Sequence, residues 1–273
     1  MYKFKRNSIS KEIKINKINI HYLDWPGIDP TIVLLHPNRT NCRVWDFMVD
    51  ASRLDNRFIA WDARGHGLSD YPEYGYDLVD YVNDLELFCE SLNLNKIILI
   101  GAATGGNIAL LYSSKHKDKL SKLVVADPGL SLNKSISKNV QLEIIKKNKF
   151  KNFKTAKQNM PFSSLWSKDM IDHYAFHSFK ILNNNEAEWR YFPKGAQYTE
   201  SLLEREMWSE INIDCKTLIL RGSSSDVFPE ENMLKLSGII SNSIAMRVDG
   251  CDHRISQDQP NKMAELIDKF LVD

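Results

Sequence analysis

No stretch of the 273-residue chain approaches the roughly 20 consecutive apolar residues that cross a bilayer. The basic N-terminus, MYKFKRNSISKEIKINKINI, also lacks the uninterrupted apolar run of an export signal. A soluble, cytoplasmic protein is the expectation. Cysteine is scarce: Cys42, Cys89, Cys215 and Cys251 share no CxxC spacing, and Cys89 and Cys215 lie in apolar segments, as reduced core thiols do. An excess of either charge is missing too. With 36 Lys and Arg against 35 Asp and Glu, no global field draws the chain to nucleic acid or to an anionic membrane, which leaves a small molecule or another protein as partner. No internal repeat, no low-complexity tract and no GxGxxG fingerprint of a nucleotide fold occurs.

What is present is a rhythm of six short apolar runs: TIVLLH (31–36), RFIAWD (57–62), KIILIG (96–101), KLVVAD (122–127), KTLILRG (216–222) and SIAMRVDG (243–250). Their interiors are apolar at consecutive positions, the mark of strands covered on both faces of a parallel sheet. Helical patterns fall between several of them. In residues 76–92, Leu78, Val82, Leu85, Phe88 and Leu92 repeat at steps of three or four. Such alternation predicts an α/β fold with a mostly parallel, doubly wound sheet. Glu12 to Trp25 alternates with period two around a polar Asn-Lys pair, which predicts an antiparallel hairpin at the sheet edge. The rhythm fails between about 131 and 210. There the sequence shows no strand but three amphipathic stretches, 140–148, 163–179 and 199–211, so residues 1–130 and 211–273 are assigned to the core and 131–210 to a helical cap insertion.

Ligands of open α/β sheets bind beyond the carboxyl ends of the strands, and those ends are polar here. LLHPN (34–38), WDARGHGLSD (61–70), GAATGG (101–106), RGSSSDVFPE (221–230) and GCDHRISQDQP (250–260) follow successive strands. In this order they resemble the α/β-hydrolase superfamily over most of the chain outside the insertion. The resemblance implies a nucleophile on a strained strand-to-helix turn at Ala103, with Asp226 orienting the base His253. Asp127, ending KLVVAD, is the rival acid, ranked second because that place often carries a structural aspartate before a turn. The resemblance further implies an oxyanion hole from the backbone N–H groups of Asn38 and Thr104. His36-Pro37 departs from the usual His-Gly pair, but the expected donor is the residue after Pro37. Arg39 and Trp166 are the candidate substrate contacts. His66 reads as a loop-stabilising residue. His173 and His177 have i, i+4 spacing without the Glu of HExxH, and neither a metal nor a cofactor is expected.

Alanine cannot attack a carbonyl, and three readings of position 103 are open. A serine belongs there and this chain carries its disabled form; or the protein is a natural non-hydrolytic binder; or it derives from an aspartate-nucleophile relative such as an epoxide or haloalkane hydrolase. The first leads, because the elbow glycines and His253 are intact. It implies a serine hydrolase acting on a small acyl substrate, an ester, thioester or lactone, and cleavage of a carbon–carbon bond beside a ketone belongs to the same mechanism.

Overall fold

The computed structural model describes residues 2–146 and 148–272. The N-terminal hairpin forms as expected, β1 (Ile9–Ile15) against β2 (Ile18–Trp25). The chain continues through β3 (Ile28–Leu35), α1 (Asp46–Ala51), β4 (Asn56–Trp61), α2 (Leu78–Ser91), β5 (Ile97–Ala102), α3 (Thr104–Lys115) and β6 (Leu120–Ala126). After the insertion come β10 (Lys216–Gly222), α8 (Glu230–Ile239), β11 (Ser243–Val248), α9 (Ile255–Asp258) and α10 (Pro260–Val272). Inside the insertion lie α4 (Lys134–Lys146), β7 (Lys149–Phe150), α5 (Phe153–Gln158), α6 (Lys168–Ser178), β8 (Phe179–Ile181), β9 (Ala187–Trp189) and α7 (Pro193–Leu202).

Eight strands form one sheet in the order β1-β2-β4-β3-β5-β6-β10-β11, antiparallel at the β1/β2 and β2/β4 pairs and parallel beyond. The apolar runs seal both faces, because successive strand side chains point oppositely. Val33, Leu35 and Leu99 join the core under α2 and α3 with Leu85, Phe88 and Ile108. Ile32, Leu34, Ile98 and Ile100 face the other way, packing with Met48 and Val49 of α1 and Met263 and Ile267 of α10. All six β5 residues are consequently buried, and their run stays rigid up to the turn that follows.

The insertion departs from the expectation in one respect. It contains a small antiparallel sheet in the order β7-β9-β8. Strands of two or three residues are too short to show alternation, so no periodicity marks them. Of the three amphipathic stretches, 140–148 falls mostly in α4, with Lys147 outside the described residues, and 163–179 contains α6. The third is split: α7 ends at Leu202 and a short 3-10 turn occupies Trp208–Glu210.

Asp62, just past β4, organises the loop at that strand end. Its carboxylate accepts from the backbone N–H groups of Cys42 (2.7 Å) and Leu68 (2.8 Å) and lies 2.7 Å from His21 Nδ1. Burial alone would raise this carboxyl, but the His21 hydrogen bond and charge bring it from the ordinary 3.8 down to about 2. A carboxyl with a depressed folded pKa stabilises the fold above its unfolded pKa and loses that contribution as pH falls through the folded one. The shift corresponds to about 2 kcal/mol. Urea unfolding should therefore show the stability gap between the parent chain and Asp62→Asn narrowing by up to about 2 kcal/mol as pH drops from 6 toward 2. A gap constant over that range would contradict the stabilisation of the Asp62 carboxylate by its hydrogen bonds.

Candidate active site

The turn after β5 is built by close approach. A Cβ on Gly101 would lie 2.2 Å from the Gly105 carbonyl oxygen, and one on Gly105 would lie 2.2 Å from the carbonyl oxygen of Leu35. Glycine at these positions lets α3 start directly against the sheet. Between them Ala103 takes φ 49°, ψ −121°, a left-handed backbone that costs a non-glycine residue about 1–3 kcal/mol. Its N–H is bonded to Ala126 O at 2.9 Å, which fixes the bend against β6. The residue sits at the N-cap of α3, where the helix dipole favours negative charge.

His253 follows β11, and its Nδ1 lies 2.8 Å from Oδ1 of Asp127. This corrects the choice of acid: Asp226 is exposed, and Asp127, fully buried just past β6, pairs with the histidine. The cause lies in the loop after β10. The buried Arg221 guanidinium donates to the carbonyls of Phe228 (2.7 Å), Ser223 (3.1 Å) and Ser225 (2.9 Å), closing the loop around itself. In that conformation Ser225 turns inward and Asp226 outward. The Ser225 hydroxyl donates to Asp127 Oδ1 at 2.5 Å, and the Gly222 N–H donates to Oδ2 at 2.8 Å. Asn107 of α3 grips both the N–H (2.9 Å) and the carbonyl (3.1 Å) of Gly129, holding the turn beyond Asp127. A carboxylate at Nδ1 suits the tautomer with its proton on that side, and leaves Nε2 on the far side of the ring from Asp127.

Ala103, Thr104, Asn38, Arg39, Trp166 and His253 all line one cavity of about 330 Å³, within the range of small-molecule sites. Asp226 does not line it, although its neighbour Val227 does. Among the described residues the backbone N–H groups of Asn38 and Thr104 have no acceptor, so both remain free to donate. His66 braces this loop. The Arg39 N–H donates to its Nε2 at 3.2 Å while Nδ1 faces Arg64 O at 2.9 Å, and burial drives the ring down to about 3, so it stays neutral. The Asn38 side chain donates to Ala196 O (3.0 Å) and to Glu200 Oε2 (3.2 Å), tying the loop to α7.

Glu200, which the sequence analysis did not single out, also lines the cavity. Burial pushes its carboxyl up, against the opposing Arg39 charge and Asn38 hydrogen bond. Arg39 Nη1 lies 3.7 Å from the exposed Glu143 carboxylate, a loose pair that leaves the guanidinium available. Trp166 is set by a 2.8 Å hydrogen bond from Nε1 to Asp258 Oδ1, joining the insertion to α9. His173 and His177 belong elsewhere, with His173 Nε2 2.8 Å from Asp46 and its ring against Phe4 and Phe47.

Residues 30–260 match the family model described as the alpha/beta hydrolase fold. A 2-(acetamidomethylene)succinate hydrolase of Mesorhizobium japonicum is 32% identical over 121 residues, 44% of this chain and 42% of that protein, so the match spans less than half of that relative. Epoxide hydrolase 1 of Caenorhabditis elegans is 21% identical over 285 residues, covering 96% of this chain and 70% of its own. The crystal structure of an E-2-(acetamidomethylene)succinate hydrolase superposes with a TM-score of 0.88 at 22% identity, over 98% of this chain and 100% of that one, a likeness of fold. Among the described residues no helix is long and apolar enough to cross a membrane. With the matched span, the strand order and the turn at Ala103 in agreement, the chain belongs to the alpha/beta hydrolase fold family.

Proposed function

We propose that the cavity binds a small acyl compound, a carboxylic ester, thioester or lactone, and that position 103 is the seat of a serine nucleophile whose place Ala103 takes in this chain. The observation that carries this reading is the strained backbone of Ala103, φ 49°, opening into the cavity that His253 also lines. Strain of this kind is retained where it positions a reacting atom, and a methyl group gains nothing from it. With serine at 103, His253 Nε2 takes the hydroxyl proton as the oxygen attacks the acyl carbon. Asp127 holds the imidazole and stabilises its charge, while the N–H groups of Thr104 and Asn38 meet the oxyanion. His253 then protonates the leaving group and activates the water that releases the acid.

Arg39 suits a substrate that carries a carboxylate besides its acyl group, and the name of the Mesorhizobium relative, a 2-(acetamidomethylene)succinate hydrolase, supports that choice. The test is turnover of ester, thioester and lactone panels by Ala103→Ser, with neutral and carboxylated members side by side. Arg39→Gln in that background is expected to raise KM about tenfold for carboxylated substrates and to leave neutral ones unchanged, the loss of one charge-assisted contact. Equal effects on both sets would remove Arg39 from recognition. Absence of turnover in every class by a folded Ala103→Ser protein would overturn the acyl reading itself.

A further inference from the structure

A second hydrogen-bonded chain of serine, histidine and aspartate lies on β1, β2 and the end of β4. In the β1/β2 ladder Ser10 faces Leu23 and Glu12 faces His21, so Ser10 and His21 are diagonal neighbours. Ser10 Oγ is 2.8 Å from His21 Nε2, and His21 Nδ1 is 2.7 Å from Asp62 Oδ2. Only the serine is exposed: His21 and Asp62 are buried, at 2% and 1%. This is the order of groups that activates a hydroxyl, with the carboxylate fixing the ring and the far nitrogen facing the nucleophile.

Competing roles for the cluster are weaker. Cys42 Sγ lies 3.8 Å from His21 Nδ1, and His21, Cys42 and Asp62 are close enough to share an ion. Yet both Asp62 oxygens already accept backbone N–H groups, from Cys42 and Leu68. Burial, with the Asp62 charge behind it, pushes the Cys42 thiol well above its usual range, so it stays protonated and is neither ligand nor nucleophile. His21 is fixed through its main chain as well, its backbone N–H donating to Ser69 Oγ at 2.9 Å.

We propose that Ser10 is an activated surface nucleophile, a site of covalent acylation or phosphonylation by activated esters, independent of the cavity at Ala103. In the step, Ser10 Oγ forms a bond to the acyl carbon or phosphorus and its proton passes to His21 Nε2. The bond to the leaving group breaks, and that group departs with the electron pair and then the proton, leaving an ester on Ser10. One equivalent reacts per chain.

The alanine at 103 gives this test a clean background. The chain is incubated with an aryl fluorophosphonate and with p-nitrophenyl acetate, and the adduct is located by tandem mass spectrometry within the tryptic peptide 7–11, which holds Ser8 and Ser10. A single adduct on Ser10, absent in Ser10→Ala and formed about 10²-fold more slowly in His21→Gln, is the expected result. No adduct on Ser10, or an unchanged rate in His21→Gln, overturns the proposal. Because His21→Gln disturbs Asp62, a second variant leaves the relay intact. Ser10→Cys should react with iodoacetamide at least about tenfold faster than Asn7→Cys, an exposed neighbour, since a thiol beside imidazole ionises more readily. Equal rates for the two thiols would equally overturn the proposal.

Discussion

Ala103→Ser is expected to raise kcat toward a short-chain acyl ester by up to about 10⁶-fold over the chain with alanine, since removing a triad serine costs about that much. The gain is this large because the rest of the apparatus is in place. The elbow backbone is already bent at residue 103, His253 and Asp127 are already paired at 2.8 Å, and Asn38 and Thr104, whose backbone N–H groups are unbonded among the described residues, line the same cavity. A hydroxyl added there enters a preorganised site and pays little reorganisation. The chain with Ala103 should meanwhile bind the same ester intact, with its affinity measurable by calorimetry. Comparable initial rates for the two proteins would mean that hydrolysis does not pass through residue 103.

The second large effect separates the two aspartates. In the Ala103→Ser background, Asp127→Asn should lower kcat by about 10⁴-fold, the loss seen when an amide imposes the wrong tautomer on a catalytic histidine. Asp226→Asn should change kcat by less than about threefold, because its side chain is exposed outside the cavity. Asp127→Asn also weakens the bonds from Ser225 and Gly222, so a stability loss of about 1–3 kcal/mol should accompany it. The pH–rate profile distinguishes catalysis from misfolding: in Asp127→Asn the rise attributed to His253 should shift, whereas a purely structural lesion lowers the amplitude alone. A large loss on Asp226→Asn with Asp127→Asn near parental would reverse the assignment.

The sheet was legible because burial on both faces leaves a continuous apolar run, and KIILIG or KLVVAD carries that mark without reference to anything distant. The strained turn at Ala103 was legible for a related reason: Gly101 and Gly105 are demanded by local backbone contact. The acid was not. Asp127 follows β6 and Asp226 lies beyond β10, and the choice between them is made by Arg221, whose three bonds to loop carbonyls set which side chain of Ser224-Ser225-Asp226 turns inward. Nothing in the string SSSD reveals that conformation. Glu200 and Trp166 acquire their places through Asn38 and Asp258, far away in sequence. The Ser10, His21 and Asp62 relay was hidden in the same way: the period-two segment visible in the sequence, 12–25, carries His21 but begins after Ser10.

The most direct measurement is the location of the acyl group during turnover of p-nitrophenyl acetate by the double variant Ala103→Ser, Ser10→Ala, in which the surface nucleophile is absent. After acid quench and trypsin, the acetyl group is expected on residue 103 within peptide 97–115 and at no other position. Turnover without an adduct at 103, or an adduct formed equally well when His253 is replaced by glutamine, would contradict the assignment of this turn and its histidine as the catalytic centre.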